Sequence, residues 1–339
     1  MFPTSLAELP KRLARIMNAG RVPMIHGSPG VGKSDSVRQV ADRNNLFVID
    51  IRLSQMSPTS LNGFGRINPV TNKSEFIPFE DFPLVSDKIP KGYDGWLIFL
   101  DEFTSAAQQV QAAAYKIVLD RMVGNIKIHP NCAIIAAGNL DTDGAIVNRM
   151  GTAMQSRMVH LQLQPEHLAW IDWANGAGID YRILAYVNFK PQVLTSFKPD
   201  HGDLTFTCGR TLEFASDIIK DSEKLTIDDL ALLCGSIGEG NGKEFYGFCD
   251  VFDSLPTIDE IIKDPETAKL ESKPSFMFGV SSFVANHMTL TNIDKLMVYV
   301  KRFSPEFQTI AARQAYKNNN KLISSPTLIK WLDDIGIYL

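Results

Sequence analysis

The chain is poor in cysteine. It has four in 339 residues, and Cys132, Cys208, Cys234 and Cys249 lie far apart. No two stand at metal-ligand spacing and no histidine cluster accompanies them. That excludes a zinc ribbon or finger and points to core thiols in a reducing compartment, not a disulfide framework. Long apolar runs are missing as well. Residues 1–20, MFPTSLAELPKRLARIMNAG, hold no stretch of signal-peptide length, and no later stretch is long enough to cross a bilayer. Charge of one sign is also scarce: the formal net charge is −4, with no Lys/Arg-rich stripe and no helix-turn-helix signature. Capture of a phosphate backbone needs several cations on one surface, so the balance argues against a dedicated nucleic-acid binder. There is no fixed-period repeat and no low-complexity tract. What remains is an ordinary 45% hydrophobic content, the profile of a soluble cytoplasmic protein, in a chain long enough for two or three domains.

The first half alternates two kinds of segment. VPMIH, LFVIDI, WLIFLDE, CAIIAAGN and VHLQL are short apolar runs rich in Ile, Leu and Val. Between and before them lie helix-like stretches: SLAELPKRLARIM, with Leu6, Leu9, Leu13 and Ile16 on one face, SDSVRQVADRNN, and SAAQQVQAAAYKIVLDRM. Near-continuous apolar strands separated by helices predict an α/β fold with a parallel five-stranded sheet covered on both faces. GFGRINPVTNKSEFIPFEDFPL (63–84) interrupts this pattern and reads as an inserted hairpin, RINPV and SEFIPF around TNK; residues 122–130 read as a second, shorter one. After residue 163 the strand runs stop. PEHLAWIDWANG, DYRILAYVNF, RTLEFASDIIKD, TIDDLALLCGSIG, NIDKLMVYVKRF, PEFQTIAARQAYKNN and SPTLIKWLDDIG all read as helices. Thr226 with Asp229, Ser304-Pro305 and Ser325-Pro326 supply start signals. Residues 263–275 read as a linker or surface loop.

The chemistry concentrates at strand ends. GSPGVGKS (Gly27, Ser28, Pro29, Gly30, Val31, Gly32, Lys33, Ser34) follows a strand, opens a helix and fits the phosphate-loop pattern G-x-x-x-x-G-K-[ST]. Backbone N–H groups can surround a phosphate chain only in conformations that a β-carbon obstructs, and the following helix adds its dipole. Lys33 would reach the β- and γ-phosphates, and the Ser34 hydroxyl would ligate Mg²⁺. WLIFLDE ends on Asp101 and Glu102. In an open α/β sheet such ends converge on the ligand crevice, so Asp101 would hold Mg²⁺ and Glu102 would polarise the attacking water; the alternative is an acidic pair at the start of the next helix. Asn139, at the end of CAIIAAGN, would reach the γ-phosphate or the water, unless it is a turn asparagine. Arg149 and Arg157 precede the last strand. Either is a candidate arginine finger for charge on the γ-phosphate, worth roughly a thousandfold or more in rate, or a surface arginine paired with a carboxylate.

Together these segments resemble the AAA+ ATPases and, within them, the MoxR-like branch. GSPGVGKS resembles Walker A, LIFLDE Walker B, AAGN sensor 1, and SRM before VHLQL the finger position. FTCGRTLEFAS is similar to the sensor-2 helix start and so implies Arg210 over the γ-phosphate. IDIRLSQMSPTSLNGF and VQAAAYKIVLDRMVGN extend the resemblance beyond the nucleotide site. The chain departs from the family's usual pattern at Thr104, Met158 and Gly209. The resemblance implies a P-loop core over 1–163 with its insert near 63–84, a helical lid over 164–262 and a helical C-terminal extension over 263–339. It implies ATP and Mg²⁺ as ligands, a homo-oligomeric ring, most often a hexamer, and Arg157 or Arg149 given to the neighbour's site. It also implies a chaperone-like remodelling activity, with a von Willebrand factor A domain protein as partner and an unidentified client touched by Phe64, Phe76 or Phe79, residues that could equally pack the insert onto the core. Competing readings are a nucleic-acid motor or loader and a nucleotide-gated scaffold with little hydrolysis. Glu102 speaks against the scaffold, which would not need it.

Overall fold

A computed structural model describes residues 3–143, 147–199 and 202–335. The chain divides into two compact units. The first runs to Pro165 and takes in a short return around Lys198; the second is the remainder.

The first unit contains strands β1 (Pro3–Thr4), β2 (Val22–His26), β3 (Leu46–Arg52), β4 (Phe64–Asn68), β5 (Lys73–Ile77), β6 (Gly95–Asp101), β7 (Met122–Val123), β8 (Ile126–Lys127), β9 (Cys132–Gly138) and β10 (Met158–Leu163). Its main sheet has the order β1-β10-β2-β9-β6-β3, with every neighbouring pair parallel. Helices α1 (Leu9–Asn18), α2 (Lys33–Arg43), α3 (Pro58–Asn62), α4 (Gln108–Asp120) and α5 (Thr152–Gln155) complete the unit. The side-chain period of two divides β6 between two cores. Trp96, Ile98 and Leu100 pack with Val110, Ala114 and Ile117 of α4. Leu97 and Phe99 pack with Leu9 and Leu13 of α1 and Val37 and Val40 of α2. This burial on both faces is why the strand reads as an unbroken apolar run.

The sheet has six strands where the sequence predicts five. The sixth, β1, is a two-residue edge pairing, Pro3 with Gln162 and Thr4 with Leu163. Its side chains carry no strand pattern. Thr4 is fully buried and its hydroxyl accepts from the Arg12 guanidinium at 2.7 Å, and proline at the first position of an edge strand leaves no ladder donor missing. Helix α1 begins at Leu9, with Pro10 in its first turn, so Leu6 lies outside the helix.

Two antiparallel hairpins stand apart from the main sheet. β4 and β5 pair from Phe64 with Ile77 to Asn68 with Lys73, and β7 pairs with β8. Phe64, Phe76 and Phe79 are 68%, 49% and 43% exposed. The base of β4–β5 closes tightly on itself and on the turn of β7–β8. A Cβ on Gly63 (φ +94°) would lie 2.2 Å from the Ile77 carbonyl oxygen, and one on Gly124 (φ +56°) 2.7 Å from the Asn62 carbonyl oxygen and 3.0 Å from Phe76 Cβ.

The second unit is helical throughout its described residues: α6 (His167–Ala177), α7 (Tyr181–Phe189), α8 (Gly209–Ile219), α9 (Ile227–Ile237), α10 (Glu239–Cys249), α11 (Ile258–Lys263), α12 (Pro274–His287), α13 (Ile293–Val300), α14 (Pro305–Asn318) and α15 (Pro326–Ile335). One cluster gathers Ile183, Tyr186, Leu212 and Phe245; a second gathers Val280, Leu296, Tyr299, Ala311 and Trp331. Helix α12 packs on both α7 and α14. At α9 the Thr226 and Asp229 side chains cap each other's backbone, and Pro305 and Pro326 open α14 and α15. Helices α10, α11 and α12 have no counterpart in the sequence reading. Three glycines (Gly240, Gly242, Gly247) lower the helix propensity of α10. Helix α12 is buried on most sides, so its apolar residues show no 3.6-residue stripe.

A buried ion pair joins α7 to α8. The side chains of Asp180 and Arg182 are each 4% exposed. Arg182 donates through Nε and Nη2 to the two Asp180 oxygens, at 2.9 and 2.8 Å, and through Nη1 and Nη2 to the carbonyls of Ser222 and Ile219. Arg182→Met should therefore lower stability by about 3–5 kcal/mol in denaturant unfolding, because it leaves a carboxylate buried without its cation. A loss under about 1 kcal/mol would mean that water reaches Asp180.

Candidate active site

Three adjacent strands, β2, β9 and β6, end side by side, and the residues that follow them converge within the first unit. After β2 the chain turns through the glycine-rich loop. Gly30 and Gly32 adopt φ +73° and +89°, the left-handed region where a side chain is strained. Gly32 is the N-cap of α2 and supplies no side-chain cap, and Ser36 N–H donates to the Gly32 carbonyl at 3.1 Å. The amides ahead of Ser36 therefore have no intrahelical acceptor, and α2 offers them, with its dipole, to an anion.

Lys33, in the first turn of α2, folds back over this loop. Its ammonium donates to the carbonyls of Gly27 (2.6 Å) and Ser28 (3.0 Å) and to Asn139 Oδ1 (2.9 Å). The end of β9 and the phosphate loop thus meet at one cation. Asn139 is further fixed through its backbone carbonyl, which accepts from the Thr104 hydroxyl at 3.1 Å. Thr104 stands where the resembled family often has an amide, and it serves to hold the Asn139 backbone.

The third strand brings the carboxylates. Ser34 donates to Asp101 Oδ2 at 3.2 Å, and Asp101 Oδ1 accepts from the Glu102 N–H at 2.7 Å. A hydroxyl beside a carboxylate is a hard-oxygen donor set of the kind that suits Mg²⁺. Glu102 has φ +55°, a left-handed conformation costly for a side-chain-bearing residue and concentrated at functional sites. Its Oε2 accepts from Ser54, just beyond β3.

Several contributors have no motif to announce them. Ser54 lies in a single 3-10 turn, Leu53–Gln55, just after β3. Asp50, on β3, carries a carboxyl pushed above its usual range by burial and then by the neighbouring Asp101. Asp143, 8% exposed, accepts from the Ser28 hydroxyl at 2.9 Å and from Leu140 N–H at 3.1 Å, tying the phosphate loop to the turn after β9. His26, immediately before the loop, is held down at about 4 by burial, then by His160 and Lys33. His26 Nε2 and His160 Nδ1 are 2.8 Å apart. Only the pairing of β2 with β10 reveals this contact, since 134 positions separate the two residues.

The arginines are placed differently. Arg157 is exposed; it donates to the Ala153 carbonyl (2.7 Å) and Ser156 Oγ (3.2 Å), and its guanidinium lies 5.3 Å from the centre of the Tyr115 ring. No carboxylate is among these contacts, so the surface ion-pair alternative is not what holds it. Arg149 is exposed, next to Asn148, whose N–H donates to the Thr104 carbonyl at 2.7 Å. Neither arginine is hydrogen-bonded to Lys33, Asn139, Asp101 or Glu102. Arg210 belongs to the second unit, exposed at the second position of α8; that helix start is closed by the Cys208 N–H donating to Thr211 Oγ1 at 2.8 Å.

No protein-family model and no curated protein matches the chain. Among solved structures it is similar to a point mutant of RuvB from Thermotoga maritima, at 12% identity and a TM-score of 0.40 over 76% of this chain and 75% of that one. It is also similar to a putative ATPase from Cytophaga hutchinsonii, at 13% identity and a TM-score of 0.37 over 97% and 88%. At these values the likeness concerns the chain trace alone.

The depressed His26 has a measurable consequence. Folded, it stays neutral down to about pH 4, whereas the unfolded chain takes up its proton near pH 6.5. Stability should therefore fall as the pH drops from 6.5 toward 4, because only the unfolded state gains that proton. His26→Asn should flatten this part of the pH profile in urea unfolding. An unchanged slope would mean that His26 titrates alike in both states.

Proposed function

We propose that the protein is a Mg²⁺-dependent AAA+ ATPase of MoxR-like type. It acts as a homo-oligomeric ring, with a hexamer as the expected form, to remodel or activate a partner protein complex. The observation that carries the reading is the convergence of Lys33, Ser34, Asn139, Asp101 and Glu102 from the ends of three adjacent parallel strands. Such strand ends are where ligands bind in open α/β sheets.

Each residue then has a chemical role. The amides of residues 27–34 and the start of α2 cradle the phosphate chain, and Lys33 exchanges its present oxygen partners for β- and γ-phosphate oxygens. Mg²⁺ would supply charge neutralisation, and Ser34 and Asp101 are the groups that would hold it. Glu102, aimed by its left-handed backbone and by Ser54, orients and polarises the attacking water. Asn139 steadies the water or the γ-phosphate. Lys33 is the cation that is hydrogen-bonded to Asn139 and the loop, and the charge that develops on the γ-phosphate calls for a second. Arg157, exposed and free of carboxylates, suits donation to a neighbouring subunit, with Arg149 as a further inter-subunit contact and Arg210 completing the site from the helical part. In this reading 1–163 is the nucleotide-binding core, 164–262 the lid and 263–339 an extension. The exposed Phe64, Phe76 and Phe79 contact the client, and a von Willebrand factor A domain protein is the expected partner.

Purified protein should hydrolyse ATP with a specific rate that rises with concentration as rings form. Glu102→Gln should cut kcat by about a hundredfold or more while ATP still binds. Ser54→Ala should cut kcat by about five- to tenfold with KM nearly unchanged, the pattern of a lost transition-state orientation. Arg157→Ala should bind ATP and keep only a residual turnover, about a thousandfold below the intact protein, until mixed with Glu102→Gln subunits, which bring an intact arginine to its site. A rate that does not depend on concentration, or no recovery at any mixing ratio, would rule out the shared site.

A further inference from the structure

Two histidines of the first unit, His26 and His160, form a chain that the proposed reaction does not itself use. His26 closes β2, directly before the phosphate loop. His160 lies in β10, and its other ring nitrogen, Nε2, is 2.9 Å from the Gln155 carbonyl. The two rings are nearly coplanar, 21° apart with centres at 5.2 Å, as an in-plane hydrogen bond requires.

The direction of the chain follows from its last member. A carbonyl oxygen only accepts, so His160 Nε2 carries a proton. A neutral His160 then has a lone pair on Nδ1, and His26 Nε2 must donate to it. The hydrogen bonds therefore run one way, from the root of the phosphate loop to the last residue of α5. Burial, then His160 and Lys33, hold His26 neutral, and in the tautomer that donates from Nε2 it completes the chain.

Gln155 is two residues from Arg157. Helix α5 has only four residues, too few to hold its own shape; the Ser156 and Arg157 N–H groups donate to its Thr152 and Met154 carbonyls, and the Gln155 carbonyl takes its donor from His160. The Arg157 side chain bends back onto Ala153 and Ser156 of the same turn. The bond from His160 to the Gln155 carbonyl thus ties this turn, and Arg157 with it, to β10 in addition to the ladder that begins at Met158.

We propose that His26 and His160 are positioning residues whose one-way hydrogen-bond chain fixes the Arg157-bearing turn against the strand that carries the phosphate loop, so that a subunit presents its arginine to a neighbour in register with its own nucleotide site. The role rests on the reading of Arg157 given above; the geometry does not.

The test uses His160→Phe in the full chain. Phenylalanine keeps a flat ring of similar size on β10 but can neither accept from His26 nor donate to Gln155. Amide exchange of the segment 152–158 should accelerate by about tenfold or more, while the segments of β2 and β9 keep their protection. ATP turnover should lose about fivefold or more in kcat with KM held within about twofold. The double variant Arg157→Ala, His160→Phe should be no slower than Arg157→Ala alone, because the relay acts through Arg157. Additive losses, or a loss expressed in KM, would overturn the proposal. If Arg157→Ala leaves turnover intact, the role given to Arg157 fails by itself. The exchange measurement then decides the relay: unchanged protection of 152–158 means that the histidines do not hold the turn.

Discussion

The Lys33 ammonium sits where three chain segments would otherwise be independent. Two of its hydrogen bonds close the phosphate loop on itself, through the Gly27 and Ser28 carbonyls, and the third reaches across to Asn139 at the end of β9. Replacing those neutral oxygens by phosphate oxygens exchanges dipoles for charges and favours ligand over loop. The same cation repels a proton from His26, so the binding loop and the histidine chain behind it depend on one charge.

Geometry around the carboxylates follows from the parallel sheet. Because β3 pairs in register with β6, Arg52 lies opposite Asp101, and the residues just past both strands, Ser54 and Glu102, are brought within hydrogen-bonding reach. One acid, Asp101, keeps the Ser34 hydroxyl; the next, Glu102, is turned away by its left-handed backbone. Two adjacent carboxylates thus acquire different partners, which is the condition for giving them different tasks.

How much of this was legible in the sequence depends on whether a signal is local. The phosphate loop, the apolar strands and the capping residues of α9, α14 and α15 are local, and five of the six main strands are where the apolar runs put them. The two-residue strand β1 is held by backbone pairing and one buried hydroxyl, neither of which leaves a periodic trace. Helices α10 and α12 break the helical pattern in opposite ways, one by excess glycine and the other by being apolar nearly all round. Ser54, Asp143 and His160 gain their roles only when distant strands are set side by side, and single polar residues in loops carry no pattern. The arginines were legible as candidates, but the sequence could not separate an ion-paired arginine from one resting on a tyrosine ring.

The exposed hairpin β4–β5 has a stiff root and a bare tip. At the root, Gly63 leaves no room for an added carbon against Ile77 across its own hairpin, and Gly124, in the turn of β7–β8, leaves none against Asn62 and Phe76, so that turn locks the base of β4–β5. Five residues of strand extend about 17 Å from that lock, and at its far end Val70 is 90% exposed. Such an element behaves as a lever arm: a tilt of about 10° at the base sweeps the tip through about 3 Å. Small rotations of the sheet would reach whatever touches the tip as displacements the size of an atom, with no need for the arm itself to bend.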